Sequence, residues 1–187
     1  LPSGDVPYAM LTLAAILPWN FFANTLTAAS ASVVAASTVI TKVYFPRLIL
    51  PLAATFAALS DLIFSIAIVV LMMLYFGISV TPQLLLAPLF LLLAIVLAAS
   101  LGTLFSALNV RFRDVKFALP FVLQVWMIAS PIFYPPSLLS EKWRLVYAIN
   151  PMVGILEGVR ASLFGSAIDW QVVGVSSISI SVLAVVS

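Results

Sequence analysis

The chain has 187 residues, 64% hydrophobic and 7% charged, with a mean hydropathy of +1.26 and a formal net charge of +2. A soluble domain needs about 25% charged residues to face water, so most of this surface faces lipid or other apolar helices, and the chain reads as an integral membrane protein. The absence of Cys and His excludes disulfides, thiolate or imidazole metal sites, cysteine nucleophiles and histidine bases, and so small a net charge gives no footprint for nucleic acid.

Residues 1–7 read as a loop, with two prolines, Ser3, Gly4 and Asp5. From 8 to about 38 runs the first crossing, longer than the ~20 apolar residues a membrane helix needs. It is rich in small and weakly polar residues, and Asn20, Asn24, Thr27 and Ala31 fall at helical spacing on one side. In lipid, small residues let backbones approach and amides bond across an interface. The stripe is therefore either a packing face or one wall of a polar pathway.

The segment 40–47 interrupts the oil with Lys42 and Arg47, and Pro46 disfavours helix at Phe45. The second crossing, 48–76, carries Asp61 near its middle. After a short turn, Pro82 suits a helix start, and 84–108 forms the third crossing. The densest charge cluster follows at 109–116, with Arg111, Arg113, Asp114 and Lys116, and Asp114 is placed to cap the next helix. A fourth crossing, 117–135, contains Gln124, Trp126 and Pro131.

The stretch 135–165 differs. Pro135 and Pro136 break the helix, a short helix is expected over 138–149, and Asn150–Pro151 supplies an N-cap and a first-position proline for another over 151–164, ending near Gly165. Each is about 20 Å long against about 30 Å of hydrocarbon, too short to span. Two short apolar helices about Asn150–Pro151 read as a re-entrant hairpin. A final crossing occupies 171–187. No internal repeat appears, and no alternating ten-residue pattern supports a β-barrel. The predicted fold class is all-α integral membrane: one polytopic helix bundle with a re-entrant hairpin.

Lys and Arg are enriched in cytoplasmic loops. The loops 40–47 and 109–116 are separated by two crossings, so they share a side and together hold five cations, against three in 135–170. They are placed in the cytoplasm, which puts the hairpin outside.

Several residues invite two readings each. Asp61 is a carboxylate at membrane depth, either a gate facing the bundle interior or a structural bond to Gln124 or Arg160. Glu157 and Arg160 are three residues apart, either a local pair or a charged lip on the pathway. Gly154 and Gly158 form a GxxxG spacing that favours close helix contact. Trp19, Phe21 and Phe22, with Trp126, Phe133 and Tyr134, are an interfacial belt or sugar-stacking surfaces. Tyr44 and Phe45 beside their cations make a lipid-anchored turn or a short element docking in a cytosolic partner. No Gly is followed by Lys, so the chain has no Walker-type phosphate loop.

The series Pro18-Trp19-Asn20-Phe21-Phe22, Lys42-Val43-Tyr44-Phe45-Pro46-Arg47, Asn109-Val110-Arg111-Phe112-Arg113-Asp114, Ser130-Pro131 with Tyr134-Pro135, and Asn150-Pro151-Met152 with Glu157 and Arg160 resembles the membrane subunit of ABC type-2 transporters. Within that family it is similar to the polysaccharide, O-antigen and teichoic-acid exporters. The resemblance covers nearly the whole chain and rests on five modest motifs in order.

It implies a non-catalytic permease of six crossings per subunit in the bacterial or archaeal inner membrane, acting as a homodimer. It would work with two copies of a cytosolic ATPase that bind ATP and Mg, this chain holding no cofactor or metal. By the same resemblance Lys42, Val43, Tyr44, Phe45, Pro46 and Arg47 form the ATPase-coupling element. Asn150, Pro151, Glu157 and Arg160 belong to an outer re-entrant gate. Arg111, Arg113, Asp114 and Lys116 anchor the cytoplasmic face.

The substrate is expected to be a lipid-linked glycan, passing Trp19, Phe22, Asn24, Gln124, Trp126, Phe133 and Tyr134, with drugs or other lipids as the alternative cargo. The family also has an amphipathic helix and a first crossing upstream, so the chain is expected to be part of a longer protein. A rival reading is an ion-coupled carrier using Asp61, which no inverted repeat supports; a purely structural membrane anchor leaves the re-entrant segment unexplained.

Overall fold

Pro7 fixes the entry to the first helix, and α1 then runs Tyr8–Ala35 with no charged residue in it. Its 28 residues extend about 42 Å, enough to cross the hydrocarbon with a tilt. Thr12, Thr27, Ser30 and Ser32 bond back along the helix, as in Thr27 Oγ1 to the Ala23 carbonyl at 2.8 Å and Ser32 Oγ to the Ala29 carbonyl at 2.7 Å, while the buried Thr25 hydroxyl has no partner among the described residues. Such bonds let Ser and Thr sit in an apolar medium without an unsatisfied donor.

The computed structural model describes residues 7–40, 46–78, 81–132 and 146–187. After α1 come α2, Ser37–Ile40, then α3, Ile49–Ala57, and α4, Leu59–Tyr75. The second predicted crossing is thus a single apolar span, Ile49–Tyr75, interrupted at Ala58. A 3₁₀ turn, Pro82–Leu86, leads into α5, Ala87–Arg111, and the two form a third long span. Then follow α6, Val115–Ile128, α7, Pro151–Phe164, and α8, Trp170–Val186. Among the described residues there is no strand. Three spans, Tyr8–Ala35, Ile49–Tyr75 and Pro82–Arg111, are long and apolar enough to cross a membrane.

The bundle is built around α1 and α5, which pack more extensively than any other pair. Gly102 makes this approach possible: a Cβ there would meet the Ala29 Cβ at 2.8 Å. Asn109, 1% exposed, closes the same interface by donating from Nδ2 to the Ser30 carbonyl at 3.0 Å. The core runs through Phe22, Leu26, Ala94, Leu97, Ile155 and Leu156.

α7 lies inside the bundle, packed on α1, α5 and α8, with 11 of its 14 residues buried. By contrast, α4 presents Ile63, Phe64, Leu71 and Leu74 outward, each at least 66% exposed. Such an apolar face suits lipid.

One element departs from the sequence expectation. The helix of the fourth predicted crossing ends at Ile128, since Ser130 and Pro131 lie in a turn after it and Pro131 has no N–H to continue the ladder. Of the first arm of the predicted hairpin, 138–149, only 146–149 falls within the described residues.

Candidate functional site

One end of the bundle is organised by Asn150. Its backbone is extended (φ −65°, ψ 112°) and its Oδ1 accepts from the Met152 N–H at 3.1 Å, capping α7, while Pro151 takes the first helical position. The same Oδ1 accepts from Trp126 Nε1 at 2.9 Å, and Nδ2 donates to Ser130 Oγ at 3.2 Å. One amide thereby holds the start of α7 against the end of α6. The far end of α7 closes at Gly165, whose φ of 69° is left-handed.

Trp126, so held, meets two rings of α1: Phe22 at 5.3 Å and 79°, and Trp19 at 6.4 Å and 72°. Trp19 and Phe22 also touch, at 5.6 Å. These edge-on contacts suit the ring quadrupoles. Trp19 is 3% and Phe22 0% exposed, so within one chain their faces are spent on packing. Of the expected sugar surfaces, Trp126 is half-buried and Phe133 and Tyr134 lie outside the described residues.

Arg160 reaches out from α7 to two other segments. Nε donates to the Leu11 carbonyl of α1 at 2.9 Å, Nη1 to the Pro131 carbonyl at 2.6 Å, and Nη2 to the Ile132 carbonyl. Glu157, one turn earlier, lies within Coulomb reach of the guanidinium. The group is turned inward as a clamp joining α1, the turn after α6, and α7; it does not stand out as a charged lip. No side-chain pattern signals this, because its three acceptors are main-chain atoms.

Ser176 of α8 was also missed. Its Oγ donates to the Ala148 carbonyl at 2.9 Å and accepts from the Gly154 N–H at 3.1 Å. The two glycines of the GxxxG spacing serve two neighbours. A Cβ on Gly154 would meet Ser176 Cβ at 2.6 Å, and one on Gly158 would meet the Phe90 ring of α5 at 2.2 Å.

Asp61 stands apart from this cluster. It is exposed, on the first turn of α4, and makes no hydrogen bond or ion pair with Gln124 or Arg160. The irregularity at Ala58 lies one turn before it, but the Ala58 N–H donates to the Ala54 carbonyl and the Leu62 N–H to the Ala58 carbonyl, so the span runs on through it.

The stripe on α1 is where the polar surface remains. Asn20, Asn24, Thr27, Ala28 and Ala31 are all exposed, on the side of α1 opposite the core. On α6, Phe117, Phe121, Gln124 and Ile128 are exposed too. A row of amides uncovered on a membrane helix needs either another helix or water against it.

At the other end of the bundle, Arg47, Arg113 and Lys116 surround one recess of about 540 Å³. Arg111 lies over the Phe112 ring at 5.4 Å and Lys116 over the Phe117 ring at 4.8 Å. Asp114 occupies the N-cap position of α6, but its backbone is helical (φ −78°, ψ −13°) and its side chain makes no cap bond. The expected cap is absent because an N-cap carboxylate needs extended backbone to turn back on the first turn. Pro46 and Arg47 are exposed just before α3, while Lys42, Val43, Tyr44 and Phe45 lie outside the described residues. Among the described residues no three carboxylates gather to hold a metal.

Comparison with known proteins gives this geometry its context. Residues 3–164 match the family described as ABC-2 type transporter. The chain is 26% identical over 151 residues to "O-antigen export system permease protein RfbA" of Myxococcus xanthus, covering 80% of this chain and 58% of that protein. Two proteins of the same description from Klebsiella pneumoniae are 22% identical over 182 residues and 21% identical over 180 residues. Each alignment covers 96% of this chain and 70% of the relative.

Proposed function

The chain belongs to the ABC-2 type transporter family, and from that premise we propose that it is the permease subunit of an exporter of lipid-linked polysaccharide. It is a multi-pass membrane protein with an all-helical bundle. We place it in the bacterial inner membrane as one of two identical subunits, driven by two copies of a separate ATPase that hold ATP and Mg. The permease itself moves the substrate and does no bond chemistry.

The observation that carries this reading is the exposed amide and small-residue stripe of α1. This helix packs on α3, α4, α5, α6 and α7, yet one side of it is left polar and open. A second copy or a hydrated path against that side would satisfy the amides. A glycan is a polar cargo, and it needs such a wall. The permeases of O-antigen export that resemble the chain support the choice of polysaccharide over drugs.

Power would enter at 40–47, the segment between α2 and α3. An ATPase closing beneath it would push the end of α1 and the start of α3 together. Since α1 is clamped at Leu11 by Arg160, displacement at the cytoplasmic end would reach α7 and the outer turn after α6. The aromatic contact of Trp126 with Trp19 and Phe22 would carry the same motion between α1 and α6.

The test is reconstitution of the whole permease with the ATPase encoded beside it. ATP-dependent movement of lipid-linked glycan across proteoliposomes is expected, together with co-purification of the ATPase. Export driven by an ion gradient with no ATPase present would overturn the proposal.

A further inference from the structure

The recess at the basic end has a composition that helix packing does not require. Its volume, about 540 Å³, falls in the range of about 300–1,000 Å³ common to small-ligand sites. Among the described residues three cations reach it from three places: Arg47 before α3, Arg113 in the turn after α5, and Lys116 in the first turn of α6. Among the described residues no carboxylate lines it. Asp114, the acidic residue nearest in sequence, is exposed outside the lining.

Lys116 is placed against helix electrostatics, since a cation in a first turn opposes the macrodipole. On α6 its ammonium meets the exposed Phe117 ring at 4.8 Å, and the helix dipole gains nothing from it. Beside the cations, Val33, Val34 and Val110 give the recess an apolar wall. Asn109 makes that wall rigid by tying the end of α5 to the Ser30 carbonyl of α1. Cations beside hydrocarbon, at the end of membrane-crossing helices, match a ligand with an anionic head and an apolar tail.

We infer that this recess binds the phosphate headgroup of a membrane lipid. Guanidinium groups meet phosphate oxygens by paired, charge-assisted bonds and an ammonium adds a point charge, while the valines cover the first carbons of the chain. Two sources share this chemistry: an anionic phospholipid of the bilayer, and the phosphate-bearing carrier of the transported glycan. The second source rests on the proposed function; the site itself does not.

Lipid retained by the purified whole permease, measured by native mass spectrometry, tests this. The probes are phosphatidylglycerol, a polyprenyl diphosphate, and phosphatidylcholine as the lipid of no net charge. The wild type is expected to retain anionic lipid over phosphatidylcholine. The Arg113→Gln/Lys116→Gln variant is expected to lose about tenfold in affinity per cation removed. Both residues are exposed, so the fold should survive, and the charge-keeping Arg113→Lys/Lys116→Arg variant should retain most of the binding.

Displacement of phosphatidylglycerol by polyprenyl diphosphate would assign the recess to the carrier, and retention of phosphatidylglycerol alone would assign it to a bilayer lipid; either supports the inference. Unchanged retention in the double Gln variant would overturn it. So would loss of the ATPase with lipid retention intact, because the cations would then be docking protein. Glycan export is scored separately. A wild type that exports nothing while its lipid retention depends on Arg113 and Lys116 would end the transport proposal and leave the recess standing.

Discussion

Arg160 donates from Nε and from both terminal nitrogens, and its three acceptors lie on two segments far from it in sequence. Removing the guanidinium leaves carbonyls of Leu11, Pro131 and Ile132 without those donors. Hydrogen bonds to a charged group contribute about 1.5–3 kcal/mol each and do not add in full, so Arg160→Gln is expected to cost on the order of 3 kcal/mol. Arg160→Lys should recover only part of it, because an ammonium lacks the planar fork that serves separated acceptors. Thermal unfolding of the purified permease checks both; equal stability of Lys and Arg forms would show that charge alone matters. The sequence could flag Arg160 as a rare charge in an apolar helix, but its partners are main-chain oxygens with no residue signature. Asp61 shows the opposite failure. Its apparent depth suggested an inward group, whereas it is exposed on the single chain.

Among the elements, α7 ties the end organised by Asn150 to the rest. Its limits were legible: Asn150 and Pro151 start it and Gly165 ends it, each for a local backbone reason. Its burial was not legible by periodicity, because in an apolar chain a helix facing lipid and one facing protein carry similar residues. The glycines carried that signal. Gly158 sits where a Cβ would lie 2.2 Å from the Phe90 ring, so Gly158→Ala must push α7 off α5 or rotate a fully buried Phe. Overpacking of this kind costs about 1–3 kcal/mol, against a small helix-propensity gain. Reduced thermal stability is expected, with recovery when Phe90→Leu is added. Gly174, on α8, has no atom within 4 Å of an added Cβ, and Gly174→Ala should be tolerated in the same assay.

At the scale of the molecule, composition settled that the chain lives in lipid, and long apolar runs settled that it crosses as helices. What one chain leaves uncovered is the more telling feature. Its outer surface is of two kinds: the apolar face of α4, with Phe64 70% exposed, and the amide stripe of α1, with Asn20, Asn24 and Thr27 exposed. Lipid satisfies the first and not the second. This sequence contains no Cys, so a single cysteine placed on each surface can report on it in a whole permease kept free of other cysteines. Cysteine at position 24 is expected to do one of two things in the assembled permease: form a disulfide with its counterpart in a second copy under mild oxidation, or react with a membrane-impermeant thiol reagent through a hydrated path. Cysteine at position 64 should do neither and should react only with a lipid-soluble maleimide. If positions 24 and 64 behaved alike, with both reached only from the lipid phase, the stripe would be neither interface nor pathway wall. The amides of α1 would then be bare in hydrocarbon, a placement that costs free energy for each hydrogen bond left unmade.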